Sequence, residues 1–405
     1  MEKPDSNLME KIISLCKRRG FVFPGSEIYG GLANSWDYGP LGVELKNNIK
    51  QLWWKRFVHM RDDMVGIDAA LIMNPKVWEA SGHLKEFSDP LVECKKCKKR
   101  FRADQIDSKN CPECKGELSK AKQFNLMLKT FLGPAEDSSA VAYLRGEIAQ
   151  SMFVDFKNVL ETARKKLPFG IASQGKVFRN EITPGNFIFR TREFNLMEFE
   201  YFVKEQEWET HFEYWRKEML AWLQQIGVDM QKVHEHEIEK DELAHYSKRT
   251  IDFEFDYPFG RKELYGLAYR TDFDLKKHYQ EAPYKEEESG PFYPHVIEPT
   301  FGLDRSLLVV LLSAYIEEEG RIVLKLKPSL APYKVAVFPL LKNKPELVAK
   351  AKEIYDDLKK EFAVAWDDRG NIGKRYYSQD EIGTPYCVTV DFDTLEKGEV
   401  TVRDR

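Results

Sequence analysis

The segment FRNEITPGNFIFRTREFNLMEFE, Phe178 to Glu200, alternates charged and apolar residues, breaks at Pro184-Gly185-Asn186, and then alternates again. Arg179 and Glu181 are two apart, so on a strand they face one side. Phe194, Leu196, Glu198 and Glu200 repeat that spacing after the break. Period-two alternation on both sides of a turn-rich stretch predicts two antiparallel strands joined by a loop. The loop carries Arg190 and Arg192. One face of this hairpin then presents an arginine, at least two carboxylates and an aromatic ring.

Around the hairpin, 405 residues leave room for two or three domains, each with its own core. A hydrophobic content of 42% with 13% aromatics is ordinary for a globular protein and too rich for a disordered one. The 62 basic and 66 acidic residues nearly cancel, so a nucleic-acid partner would have to be met by local patches. No apolar run approaches the ~20 residues of a membrane helix. MEKPDSNLMEKII lacks the apolar core of a signal peptide. The expectation is a cytoplasmic protein with no membrane contact.

Working outward, Asp5 to Arg19 reads as an amphipathic helix, with Leu8, Ile12, Ile13 and Leu15 on its apolar side. WDYGPLG is a turn feeding a helix from Leu41 to His59, whose Leu45, Ile49, Leu52, Trp53 and Phe57 recur at three- and four-residue steps. MVGIDAALIM reads as a strand ended by Pro75. The lysine-rich Lys95 to Lys122 reads as an insertion, and Val141 to Pro168 as one helix. Glu205 to Gln225 reads as a helix and Lys240 to Lys248 as a polar one. TIDFEFDYPFG and KELYGLAYRTDFDL read as strands, and KEEESGPFYP as a polar loop. HVIEPTFGLDRSLLVVLLSAYIEEE reads as a strand, a Pro-containing turn and a buried helix. Beyond LKLKPSLAPY the pattern runs strand, helix, strand, strand, a small α/β domain. The expected division is 1–327, with an insertion at about 91–120, and 328–405.

Cys94, Cys97, Cys111 and Cys114 have the form C-x2-C-x13-C-x2-C. Each CxxC knuckle can supply two thiolates, and four fill the tetrahedron of a structural Zn²⁺. The alternative is two chance pairs of surface cysteines. Cys16 and Cys387 are isolated and read as buried, inert thiols in a reducing compartment. The hairpin has two readings as well, ion pairs on an open sheet face or a nucleotide site. The second needs an anion beside Arg179, a base amine at Glu181 and a base stacked on Phe194. Arg305, at the head of the apolar helix after EPTFG, either pairs with a carboxylate or binds phosphate. There is no Walker loop, no GxGxxG and no HExxH, which argues against P-loop, Rossmann and metalloprotease readings. The alternating strands suggest an antiparallel sheet with one face open to a ligand.

FRNE…REFNLMEFE resembles the motif 2 hairpin of the class II aminoacyl-tRNA synthetases, and EPTFGLDR resembles their motif 3. GPLGVELKNNIKQLWWKRF resembles motif 1, which forms the dimer interface. WDYGPLGVELKNN, NPKVWEASGH, FRNEITP and IEPTFGLDR resemble the glycyl-tRNA synthetases of the homodimeric bacterial type, over nearly the whole chain. The resemblance implies an α+β fold: a class II antiparallel sheet flanked by helices, a zinc-ribbon-like insertion and a C-terminal α/β anticodon-binding domain. It implies ATP, Mg²⁺ and structural Zn²⁺ as cofactors, and glycine, tRNA(Gly) and a second copy of the chain as partners.

Carried over to this sequence, the family implies that Arg179 holds the ATP α-phosphate, Glu181 accepts from the adenine amine, Phe194 stacks on adenine and Arg305 binds the γ-phosphate. The glycine ammonium would sit among Glu147, Glu198 and Glu298 with the Thr300 hydroxyl nearby, and Arg270 would take its carboxylate. A substrate without a side chain must be gripped at both charged ends while any Cβ is refused, and no smaller amino acid exists that would require editing. The sequence departs from the family at GEIAQS, where PETAQG is usual, and at Thr300, where Ser is usual. It also stops at VTVRDR, so the anticodon-binding domain is expected to be trimmed. The GEIAQS departure motivates a rival reading, a catalytically weakened class II-like protein that binds RNA or a partner. A class II enzyme for serine or alanine is a third.

Overall fold

The computed structural model describes residues 6–106, 109–287, 290–318 and 320–405. Phe169–Phe178 and Glu193–Val203 pair antiparallel, with Phe178 opposite Glu193 and Ser173 opposite Glu198; the first strand ends at Phe178, so Arg179 and Glu181, expected on its face, lie in the loop beyond it. They belong to a seven-stranded sheet. Its order is Val233–Glu237, Arg249–Tyr257, Gly260–Thr271, His295–Gly302, Glu193–Val203, Phe169–Phe178 and Met64–Gly66. Every neighbour is antiparallel except the short Met64–Gly66, which runs parallel to Gly170–Ala172.

The period of two sorts this sheet into a packed face and a working face. Met197, Phe199, Tyr201 and Val203 join the large core with Phe253, Phe255, Tyr265, Leu267 and Phe301. Helices Pro40–Trp54, Trp208–Gln225 and Leu303–Ala314 cover them. Trp53 lies against Phe199 and Phe301, ring centroids 6.0 and 5.7 Å away. Burying such side chains contributes about 1.5–3 kcal/mol each. The intervening Leu196, Glu198, Glu200 and Phe202 face the other way. There Leu196 and Phe202 pack with Phe153 and Phe156, whose helices are Ala149–Val154 and Phe156–Ala163. The two glutamates are thereby pointed off the core.

Several elements depart from the sequence reading. Val141–Leu144 is a strand paired with Leu128–Phe131, so the helix expected from Val141 begins only at Ala149 and breaks at Asp155. MVGIDAALIM divides into Met64–Gly66 and Ile72–Met73, which join different sheets. Pro75 opens helix Pro75–Ala80 at its first position, with the Asn74 side chain accepting from Lys76 N, a place where proline's missing N–H costs nothing. Residues 240–248 form turns and bends, not a helix. TDFDL ends in helix Phe273–His278, and Tyr315–Glu318 leaves the preceding helix to pair with Arg321–Leu324. The polar loop holds a small ladder, Tyr284–Glu286 with Gly290–Phe292. Asp5, where the first helix was expected to begin, lies outside the described residues; the helix described is Ser6–Arg19.

The cysteine-bearing stretch rises from a three-stranded sheet of Ser88–Glu93, Arg100–Arg102 and Lys122–Asn125. The C-terminal sheet runs Val364–Trp366, Val335–Pro339, Tyr386–Val390, Thr401–Asp404, with only the last strand antiparallel. Its helix Ile372–Asp380, IGKRYYSQD, is polar enough to escape a periodicity reading. Buried Asp380 fastens this unit to the rest, 2.8 Å from Arg321 of the larger part and 2.8 Å from Arg403. Among the described residues no helix is long and apolar enough to cross a membrane.

Helix Pro40–Trp54 meets the residue before strand Val22–Pro24 through Gly42, where an added Cβ would lie 1.8 Å from the Phe21 carbonyl oxygen. Backbone cannot yield as a side-chain tip can, so Gly42→Ala is expected to cost at least about 1–3 kcal/mol. A denaturant titration showing an unchanged midpoint would contradict this packing.

Candidate active site

A cavity of about 390 Å³ opens on the working face of the sheet, lined by Glu147, Arg179, Glu181, Phe194, Glu198, Glu298, Thr300 and Arg305 among others. Eight of the nine nucleotide and glycine residues named from the sequence thus converge here. At one end the cavity is positive and aromatic. Arg179 is sandwiched between Phe87 and Phe194, with its guanidinium carbon 5.1 and 5.4 Å from the ring centroids. Its Nε donates to Gly146 O at 3.1 Å. Glu181 is nearly buried with Oε2 unpartnered, an acceptor waiting for a donor. Arg305 lies over the Phe189 ring and donates to Glu263 Oε2 at 3.0 Å.

The other end is an acidic floor. Glu198 and Glu200 are two apart on one strand, Glu298 is on its neighbour, and oxygen atoms of all three lie within 4.8 Å of one another. Thr300 Oγ1 donates to Glu198 Oε1 at 2.6 Å, which the register explains by setting Thr300 opposite Glu198. Glu147 approaches from the loop before helix Ala149–Val154, accepting from Gln150 Nε2 at 2.9 Å and lying 3.2 Å from His83 Nε2. The GEIAQS departure leaves this loop tied down: Ile148 is buried and Ser151 Oγ donates to Ile148 O at 2.6 Å.

Crowding sets the charge states. Burial, then Glu298 and Glu147, push the Glu198 carboxyl up to about 8. Burial raises Glu298 to about 7, with Glu147 adding to it and Arg270 opposing. Glu200, fully buried with neither oxygen partnered, is raised well above its ordinary value by burial and by Glu298. Glu147 goes the other way: burial would raise it, but His83 and Arg270 hold it below the usual carboxylate range.

Arg270 is the residue whose expected place needs correction. It does not line the cavity. Buried beneath it, the guanidinium donates to both oxygens of Asp274 at 2.8 and 2.9 Å and to Glu298 Oε1 at 2.7 Å. Three of its five N–H donors are taken this way, and its bidentate edge is closed by Asp274. Its charge is needed where it is, because several carboxylates cannot be packed together without a counter-ion.

The four cysteines converge as the spacing implied. Their sulfurs lie within 4.8 Å of one another, with Cys94–Cys114 at 3.4 Å and Cys97–Cys111 at 3.7 Å. Those separations are far from a disulfide and close to the ~3.8 Å edge of a tetrahedron with Zn–S bonds of about 2.3 Å. The Cys97 backbone amide lowers the Cys94 thiol to about 6, toward the thiolate a metal takes. Burial instead pushes Cys16 and Cys387 up to about 12, keeping them inert.

Residues 142–314 match the model of the tRNA synthetase class II core domain (G, H, P, S and T), and residues 334–405 that of the anticodon binding domain. The glycine–tRNA ligase of Caldanaerobacter subterraneus subsp. tengcongensis is 51% identical over 98% of this chain and 94% of its own length. That of Geobacillus thermodenitrificans is 50% identical over 100% and 95%, and that of Treponema denticola 50% over 98% and 92%. The chain belongs to the glycine–tRNA ligase family. Its α+β architecture, with a class II core and an anticodon-binding domain, is the one the motifs implied.

Site residues of this family member that the sequence reading passed over are His83, Gln150, Asp274, Tyr246, Asp252 and Glu263. Tyr246 stacks its ring on Arg270 at 3.8 Å. Asp252 is raised to about 7 by burial and by Glu263. Asp274, four residues from Arg270, and Gln150, three from Glu147, carried a usable signal. The others come from segments remote in sequence, and no spacing rule reaches them.

The raised carboxyls carry a stability prediction. A folded-state pKa above the unfolded value means stability is fully present below the ordinary carboxylate range and lost as pH rises toward 7–8. Glu198→Gln removes one such group. Its melting temperature, measured without ligands, should exceed the unsubstituted protein's at pH 8.5 and by much less at pH 5. A difference independent of pH would contradict the charge states described.

Proposed function

We propose that this cavity is where the chain, as a glycine–tRNA ligase, activates glycine with ATP and passes the glycyl group to the 3′ end of tRNA(Gly). The observation that carries the reading is the cavity's polarity: an acidic floor at one end and unfilled guanidinium and aromatic surface at the other. The ammonium of glycine sits among Glu147, Glu198 and Glu298. Glycine binding favours the ionised form of the raised pair, so affinity climbs as pH rises toward 8. Thr300, tied to Glu198, and Tyr246 crowd the place where a larger amino acid would carry its Cβ. The substrate carboxylate points out of the acidic floor toward Arg179, whose terminal guanidinium nitrogens have no hydrogen-bond partner among the described residues.

Adenine lies on Phe194 with its amine toward Glu181 Oε2, the α-phosphate meets Arg179, and the γ-phosphate meets Arg305. The glycine carboxylate oxygen attacks the α-phosphorus in line; the bond to the bridging oxygen breaks and pyrophosphate leaves. Arg179 stabilises the charge that develops, held ready by its two rings and the Gly146 carbonyl. The terminal ribose hydroxyl of the tRNA then attacks the adenylate carbonyl, releasing AMP. No side-chain nucleophile is required, and alignment supplies the rate. Mg²⁺ binds by one or two carboxylates plus substrate phosphates. Glu263 beside Arg305, with Asp252 near it, offers such a pair, and the ion would neutralise phosphate charge there.

The four cysteines hold a structural Zn²⁺, leaving no coordination position open. Residues 328–405 act as the anticodon-binding domain, and the exposed side of the motif 1 helix pairs two copies as a dimer in the cytoplasm. The tethered Glu147 loop favours this reading over the weakened, RNA-binding one.

Glycine-dependent exchange of pyrophosphate into ATP tests the assignment. Glycine should support exchange, with serine and alanine silent, and Arg179→Ala should lower kcat about 10²–10³-fold. Exchange with no amino acid, or full activity of the variant, would refute it. Metal analysis of protein purified without chelator should find close to one zinc per chain; none would refute the metal ribbon.

A further inference from the structure

Between strands Val22–Pro24 and Trp36–Tyr38 the chain loops outward and returns. On the return, the Asn34 side-chain amide nitrogen lies against three main-chain carbonyls of the hairpin loop. They are Arg190 O at 2.6 Å, Phe187 O at 2.9 Å and Gly185 O at 3.5 Å. The amide oxygen accepts from Trp36 Nε1 at 2.9 Å, so the hydrogen-bond pattern itself dictates which end of the amide faces the loop. Trp36 then meets Phe187 edge to face, centroids 4.7 Å apart.

The loop gripped in this way is not one the chain adopts cheaply. Asn186 and Phe187 have φ of 55° and 60°, left-handed conformations uncommon for any residue with a Cβ and costly for a bulky one. Gly185 and Arg190 close the turn with reciprocal backbone bonds of 2.9 and 3.2 Å. Two arginines leave this turn in different directions. Arg190 lines the active-site cavity. Arg192 lines an adjoining cavity of about 440 Å³, together with Trp36, Tyr38 and Lys46. Among the described residues neither guanidinium has an ion-pair or hydrogen-bond partner, so each is free to meet an anion.

We propose that Asn34 is a positioning residue for the activation step: its amide locks the strained turn that aims Arg190 at the nucleotide end of the cavity and Arg192 at the cavity beside it. The proposal rests on the nucleotide reading of that end. It assigns Asn34 no contact with substrate. Glu198 and Glu298 of the acidic floor stand on paired strands and Glu147 on a separate loop, so Asn34 acts on the nucleotide and not on glycine.

Asn34→Asp is the sharp test, because it keeps the size and the acceptor for Trp36 while setting an anion against three carbonyls. Asn34→Ala, which only deletes the donor, is the second variant. A non-hydrolysable ATP analogue titrated calorimetrically should bind Asn34→Asp at least tenfold more weakly than the unsubstituted chain, and Asn34→Ala by a smaller factor. In pyrophosphate exchange the KM for ATP should rise and kcat fall while the KM for glycine stays within twofold. Unchanged analogue affinity in both variants would overturn the proposal. So would equal losses toward ATP and glycine, since that is what general destabilisation produces. Failure of the unsubstituted chain to exchange with glycine would instead strike the assignment of function, while the analogue titration still decides the role of Asn34.

Discussion

One guanidinium makes the working face of this sheet possible. Arg270 is buried beneath Glu298, Glu147 and Asp274, with Glu198 and Glu200 close by, and it is the cation at the centre of that group. Removing a single partner from such a cluster strands the rest in a poorly solvated interior, which costs far more than the pair itself contributes. The neighbouring geometry follows from that need. The irregular pairing between Tyr269 and Thr271 interrupts the strand, and Thr271 takes φ of 59°, unusual for a β-branched residue. The helix that begins at Phe273 then brings Asp274 back to fill the fork.

The charge deficit that remains is the cavity's chemistry. Five carboxylates around one arginine leave three glutamates with raised protonation, one of them with both oxygens bare. A compact ammonium is the ligand such a place lacks. At the other end cations are gathered: Arg179, Arg190 and Arg305 converge beside Glu181, Asp252 and Glu263. The two ends are complementary to the two ends of an amino acid joined to a nucleotide.

Much of this was legible beforehand because the hairpin's period of two is a covalent fact. Phe194 and Glu198 had to share a face once the strands paired, and the cysteine spacing had to close on itself; Arg179 and Glu181 lie just past the end of their strand and reach the site from the loop. Arg270 was misplaced because its sequence neighbours disclose that it is an arginine on a strand, not how many carboxylates lie over it. His83, Tyr246 and Glu263 were missed for a related reason: each reaches the site from a distant segment whose local pattern is that of an ordinary short helix, turn or strand. The strand at Val141–Leu144 was lost inside an apolar run that fits either period.

The two borders of the large sheet also differ from its interior. One is the three-residue strand Met64–Gly66, where the Trp54 ring sits so close to Gly66 that a Cβ there would fall 2.2 Å from it. The other, Val233–Glu237, is VHEHE, with charge or imidazole at four consecutive positions. An indole plug on one rim and a bristle of ionisable groups on the other deny a foreign strand any flat, unpaired ladder to copy. A chain built around a broad antiparallel sheet is thereby protected from templating its own aggregation.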